Sequence, residues 1–235
     1  MKKTELLRRY LVFVCALFVS ALGVSVITRS YLGTSPISSS PYVFSLNTPL
    51  SMGVCIFILN MLLIMGQMLM LGRSGIRQRR LDLFMQIPVS VLFGFFIDVT
   101  MALLNDYMPT VYAFQILSLV AGSAILALGV CLEVVADVTM LSAEYFVQIA
   151  SLRFKKDFGL VKTVFDVSLM VMAALFSLLL AGRIEGLREG TVIAALITGP
   201  FVRFFLPYLK FVRNWISDGN IIQFVLSLNP FAKQK

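Results

Sequence analysis

Glu133 and Asp137 stand four residues apart at the end of an apolar run, Asp166 lies early in another, and Asp98 interrupts "LFGFFIDVTMALL". On a helix, residues spaced by four share a face, and here Gly129 lies on it one turn earlier. Glu144 follows about two turns beyond Asp137 if the chain is helical there. Carboxyl groups gathered in apolar surroundings without nearby cations can bind a cation or exchange protons, because burial and mutual repulsion both oppose the charged form. Asn60 is a further polar residue inside an apolar segment, and Thr34, Ser35, Ser38, Ser39 and Ser40 form a hydroxyl-rich stretch suited to an organic solute. Thr34, Ser35, Ser39, Asn60, Glu133, Asp137, Glu144 and Asp166 are therefore the candidate substrate- or ion-binding residues. Each has a plainer reading. Glu133 and Asp137 could be solvated at a helix end, and Asp166 could make only a helix-to-helix hydrogen bond. Asp98 could pair with Arg203, and the serines could be a loop.

The elements that must position these residues are apolar. Of 235 residues, 59% are hydrophobic and only 14% charged, with a mean hydropathy of +0.91. Soluble domains are about half apolar and a quarter charged, so the composition points to a membrane protein. A spanning helix needs about 20 apolar residues. Six segments qualify, at 11–29, 51–71, 83–104, 111–135, 160–181 and 191–212. The opening "MKKTELLRRY" resembles the basic start of a signal peptide, but the apolar run after it is long, lacks a small-residue cleavage site and is followed by more spans. An α-helical integral membrane protein is expected.

A net charge of +8 raises the question of nucleic acid, and the placement of the cations answers it. With the N-terminus in the cytoplasm, Lys2, Lys3, Arg8 and Arg9 fall inside, as do Arg73, Arg77, Arg79, Arg80, Arg153, Lys155, Lys156, Lys210, Arg213, Lys233 and Lys235. The opposite side carries Arg29, Arg183 and Arg188, the last two beside Glu185 and Glu189. This positive-inside bias sets both termini on the cytoplasmic side of the membrane. A nucleic-acid surface would need cations clustered on a soluble face with aromatics between them.

Other chemistries lack their residues. The chain has no His, which removes His-dependent zinc sites and Ser-His triads. Cys15, Cys55 and Cys131 are isolated in apolar runs, without disulfide or metal spacing. No phosphate-binding glycine loop follows a strand pattern, and no nucleophile-and-base pair stands out. No cofactor, metal or enzymatic activity is expected.

The stretch "ALGV" occurs at Ala21–Val24 and again at Ala127–Val130. The same offset of 106 residues pairs Ser45-Leu46 with Ser151-Leu152, Gly53 with Gly159, Leu63 with Leu169 and Asn60 with Asp166. Gly72-Arg73 and Gly182-Arg183 match after a four-residue slip. These matches read as a duplication, with residues 1–107 and 108–235 as two three-helix units. Three spans per unit make the second enter the membrane from the opposite side, as in the inverted repeats of secondary transporters. The long connections at 29–50 and 136–157 each hold about ten mildly amphipathic residues, too few to span, and read as broken or re-entrant helices after the first and fourth spans, with amphipathic hairpins on the membrane surface as the alternative. Ser35 before Pro36 marks one helix start. Asp137 or Thr139 is the expected cap of the other.

Six spans, "LGTSP" at Leu32–Pro36 and "FGLVKTVFDVSL" at Phe158–Leu169 resemble the YczE/YyaS/YitT family of bacterial multi-pass membrane proteins. Its members are described as permeases, so the resemblance implies an inner-membrane protein of transport type without naming a substrate. Residues and resemblance together lead to a secondary transporter for a small polar or organic solute, coupled to an ion or proton. The alternative is a non-transporting scaffold acting with a partner membrane protein. A homo-oligomer is compatible with either.

Overall fold

The computed structural model describes residues 3–218. Lys2, Lys233 and Lys235, counted above among the inner cations, lie outside the described residues. The elements are α1 (Lys3–Arg29), α2 (Pro36–Asn47), α3 (Met52–Leu103), α4 (Tyr112–Ala136), α5 (Ser142–Phe154), α6 (Phe158–Ala181), α7 (Glu189–Phe205), a 3-10 turn (Leu206–Leu209) and α8 (Lys210–Asp218). The described residues contain no strand. Five helices are long and apolar enough to cross a membrane: Thr4–Arg29, Met52–Leu103, Tyr112–Ala136, Phe158–Ala181 and Glu189–Leu209. They mark the chain as a membrane protein.

Helix α3 covers two of the segments expected from sequence, without a loop between them. A straight helix of its 52 residues would be about 78 Å long. Its cross-contacts rule that shape out. The Gly53 amide donates to Asp98 Oδ1 at 2.7 Å, and the side-chain amides of Gln67 and Gln86 exchange hydrogen bonds at 3.0 and 3.1 Å. In a straight helix Gly53 and Asp98 would stand about 68 Å apart. The chain therefore folds back on itself in two antiparallel arms. The bend lies between Gly72 (φ 63°) and Arg79 (φ −113°), the two residues with non-helical backbone. A Cβ on Gly72 would meet open space, so glycine is needed there for its backbone freedom alone.

The broadest helix contact joins α1 to α4. A Cβ added to Gly23 would lie 2.6 Å from Leu126 Cα, and one on Gly129 would lie 2.6 Å from the Ser20 amide nitrogen. Small residues let membrane helices approach this closely and gain dispersion contact where lipid supplies no hydrophobic drive. Gly23 and Gly129 are the glycines of the two "ALGV" stretches, so the sequence echo falls at the crossing. Around it, Phe13, Leu17 and Val24 of α1 pack with Ile56, Phe93 and Ile97 of α3. A second cluster joins Leu63 of α3, Val147 of α5 and Phe165 and Leu169 of α6.

Contacts and boundaries repeat in parallel. Helix α1 packs on α3 as α4 packs on α7, and α2 packs on α6 as α5 packs on α3. Helix α2 begins at Pro36 and α5 at Ser142, while α3 begins at Met52 and α6 at Phe158. Both pairs keep the 106-residue offset seen in the sequence. Gly72, with positive φ and extended ψ (63°, 178°), ends the first arm of α3, and left-handed Gly182 (φ 68°) ends α6.

Two local expectations are corrected. Asp137 does not cap α5: it ends α4 in the left-handed conformation (φ 51°), and α5 starts after Leu141 without a side-chain cap. Asp tolerates this conformation better than most residues. Nor does the last expected span continue as one helix to residue 212, since α7 ends at Phe205 and a 3-10 turn leads into α8.

Candidate functional site

The starts of the two short helices meet at one cavity of about 720 Å3. Ser35, Pro36 and Ser38 come to it from α2, and Leu141, Ala143 and Glu144 from α5. Neither helix start has a side-chain cap. The Ser35 hydroxyl donates to Ser38 Oγ at 3.0 Å instead of reaching the first-turn amides. Helix starts present unsatisfied N–H groups and a partial positive charge. The wall between them is completed by α1, α3, α4, α6 and α7, and much of it is apolar, including Ile56, Leu59, Phe93 and Val130.

The sequence candidates divide at this cavity. Ser35, Asn60, Glu133, Asp137, Glu144 and Asp166 line it, although they come from five different parts of the chain, Glu133 and Asp137 together at the end of α4. Thr34 and Ser39 are absent from its wall. Thr34 Oγ1 shares a hydrogen bond with Thr28 Oγ1 at 2.8 Å, and the Thr34 amide donates to Thr191 Oγ1 at 3.1 Å, tying the chain before α2 to α1 and α7. The Ser39 hydroxyl donates to the Pro36 carbonyl at 2.6 Å within α2. Ser40 donates to the Leu169 carbonyl at 3.1 Å and fastens α2 to α6. The hydroxyl-rich stretch thus serves the cavity through Ser35 and Ser38, and packing through Thr34, Ser39 and Ser40.

The charged groups fall into satisfied and unsatisfied sets. Lys162 and Asp166, one turn apart on α6, form an ion pair at 2.7 Å. Asp137, with 87% of its side chain exposed, meets Arg9 at 3.5 Å. Glu133 is buried, accepts a hydrogen bond from Ser20 Oγ at 2.7 Å, and lines the same wall as Glu144. Two buried polar atoms of the wall have no hydrogen-bond partner: Asn60 Nδ2 and Glu144 Oε2. Arg203 of α7 also lines the cavity, exposed, with no ion pair among the described residues. It is not the partner of Asp98. Asp98 instead accepts from Ser51 Oγ at 2.6 Å and from the Gly53 amide, which makes it a clasp between the two arms of α3.

Lys162 and Ser20 are wall residues that the sequence reading passed over. Lys162 had a visible signal, a cation four residues before Asp166 in the same apolar segment. Ser20 had none, since its role depends on how α1 and α4 cross.

The profile of a family described as "Family of unknown function (DUF6198)" matches residues 7–207. The chain belongs to this family. The DUF6198 match takes in α1 through α7 and every residue of the cavity wall. No curated protein and no solved structure matches the chain.

Proposed function

We propose that this DUF6198 protein is a secondary transporter for a small polar or organic solute across the bacterial inner membrane. The observation that carries the reading is the cavity itself, where polar side chains from both halves of the chain converge on two uncapped helix starts. Its volume of about 720 Å3 lies within the range of about 300–1,000 Å3 typical of small-molecule sites. A scaffold that only docks a partner has no need of such an interior.

The two arms of α3 together with the other four candidate spans make six crossings, arranged as two inverted units of three. In support, the 106-residue offset recurs in helix starts and in the pattern of helix partners. Helices α2 and α5 re-enter the membrane from opposite faces, which accounts for their short length and buried serines. The ends of the helices agree with cytoplasmic termini. Arg8 and Arg9 of α1 meet Trp215 of α8 and the end of α4, whereas Arg29 meets Met101 and Asn105 at the other end of the bundle. The resemblance of Leu32–Pro36 and Phe158–Leu169 to the YczE/YyaS/YitT family, whose members are described as permeases, supports the same reading. One unit rocking against the other would open the cavity to each side in turn, with a carboxyl taking up or releasing a proton as the coupling step.

Reconstitution into proteoliposomes tests the reading. Solute-induced currents on supported membranes, screened across a metabolite panel, should reveal at least one saturable substrate. Flux should fall at least tenfold in Glu133→Gln and Asp166→Asn proteins that still elute as folded species. Silence across the panel, with a second membrane protein co-purifying in fixed ratio, would replace transport with the scaffold reading.

A further inference from the structure

From the charges and unpartnered atoms of the cavity, we infer that its ligand is a small organic cation: a protonated amine on an apolar body that also carries an oxygen acceptor. This rests on the transporter reading for its biological use, but not for its chemistry. The charges are counted by removing groups that already have partners. Lys162 neutralises Asp166, while Asp137 is 87% exposed and solvated beside Arg9, which it shares with Glu5. Glu133 and Glu144 remain, against Arg203 alone. A cation restores the balance, whereas an anion would add to two carboxylates in low dielectric.

The unpartnered atoms define the rest. Glu144 Oε2 is a buried acceptor without a donor, and Asn60 Nδ2 is a buried donor without an acceptor, in a residue only 5% exposed. An unsatisfied buried polar group destabilises a fold, and a ligand that completes it recovers that cost on binding. An ammonium group supplies the donor that Glu144 lacks. A hydroxyl or carbonyl oxygen elsewhere on the ligand supplies the acceptor that Asn60 lacks. Simple metal cations have no acceptor to offer, and Phe93, Ile56 and Leu59 require apolar surface that a hydrated ion does not have.

Thermal unfolding of the purified full chain in lipid nanodiscs provides the test. The probes are amino alcohols of two to six carbons, set against hydroxy acids and diols of equal length. Amino alcohols should raise the unfolding temperature in a saturable way, and at least one should bind tenfold more tightly than its matched acid or diol. Glu144→Gln should remove the effect while leaving the empty protein at least as stable as the parent, since a charge with an unpartnered oxygen has gone. Asn60→Ala should weaken amino alcohols but not the corresponding simple amines. Equal protection by acids or diols, or no protection by any amine, overturns the assignment. Amine binding without flux would leave this inference standing and remove transport; flux of another solute without amine binding would do the reverse.

Discussion

Asp98 shows how far a single residue can be read before its neighbours are known. Its cost inside an apolar segment was visible, and the demand for a partner followed from it. The partner was not visible, because Ser51 and Gly53 reach it only once α3 has folded back. Asp98→Ala should destabilise the protein by at most about 1.5–3 kcal/mol, the range for hydrogen bonds to a charged group, because one of its bonds is exposed and the other only part-buried, and should leave ligand affinity in the cavity unchanged. Unfolding curves and binding isotherms on the same variant separate the two effects. Thr34 and Ser39 illustrate the opposite case. A hydroxyl near a helix start is suited to ligands and equally to backbone ties, and its place in the packed fold decides which, since Ser35 and Ser38 in the wall are as buried as Thr34 and Ser39. Ser20 is a third kind of residue, ordinary in type and given a role only by the helix crossing. Ser20→Ala leaves Glu133 without its donor and should cost about 0.6 kcal/mol, the average for such bonds inside membranes.

At the scale of elements, starts were more legible than ends. Ser-Pro at 35–36 marked the start of α2 correctly, because proline's fixed φ and missing N–H suit a first helical position. Asp137 was placed as a helix start and is a helix end, since the same side chain serves a cap or a left-handed residue. The bend in α3 had its glycine in plain view. The break between the expected spans 51–71 and 83–104 fell at this bend, and what the sequence did not show was the continuation of helical backbone from Arg73 to Gln78 through it. Gln67 and Gln86 hold the arms together beyond that bend, and Gln67 also donates to the Ser142 carbonyl at the start of α5 at 2.8 Å. Gln67→Leu strands the Gln86 amide in the core and should loosen the hairpin and α5 together. Hydrogen exchange in α5 should rise even though the substitution lies in α3. At the other junction, Gly129→Leu forces α4 away from Ser20 and should cost at least about 1–3 kcal/mol, the usual range for overpacking, as measured by unfolding in mixed micelles.

For the whole molecule, composition alone fixed the solvent, and periodic matches outlined two related halves. The cavity was out of reach, since it depends on seven helices arriving at one place. The proposed inverted arrangement makes a prediction at this scale. With Cys15, Cys55 and Cys131 replaced, single cysteines at Arg153 and Arg183 should react with a membrane-impermeant reagent from opposite sides of the membrane. Labelling of both from the same side would exclude the inverted topology.

The contact between α1 and α4 also carries a cost in time. Roughly 80 residues separate the end of α1 from the start of α4. At about 5–20 residues per second, on the order of ten seconds pass between synthesis of one partner and the other. During that interval the glycine-and-serine face of α1 has no native neighbour. A helix from a second nascent chain, presenting the same "ALGV" surface, is a ready substitute. Early biogenesis, rather than the finished fold, is then the stage at which crowded expression should divert this protein into mispaired assemblies.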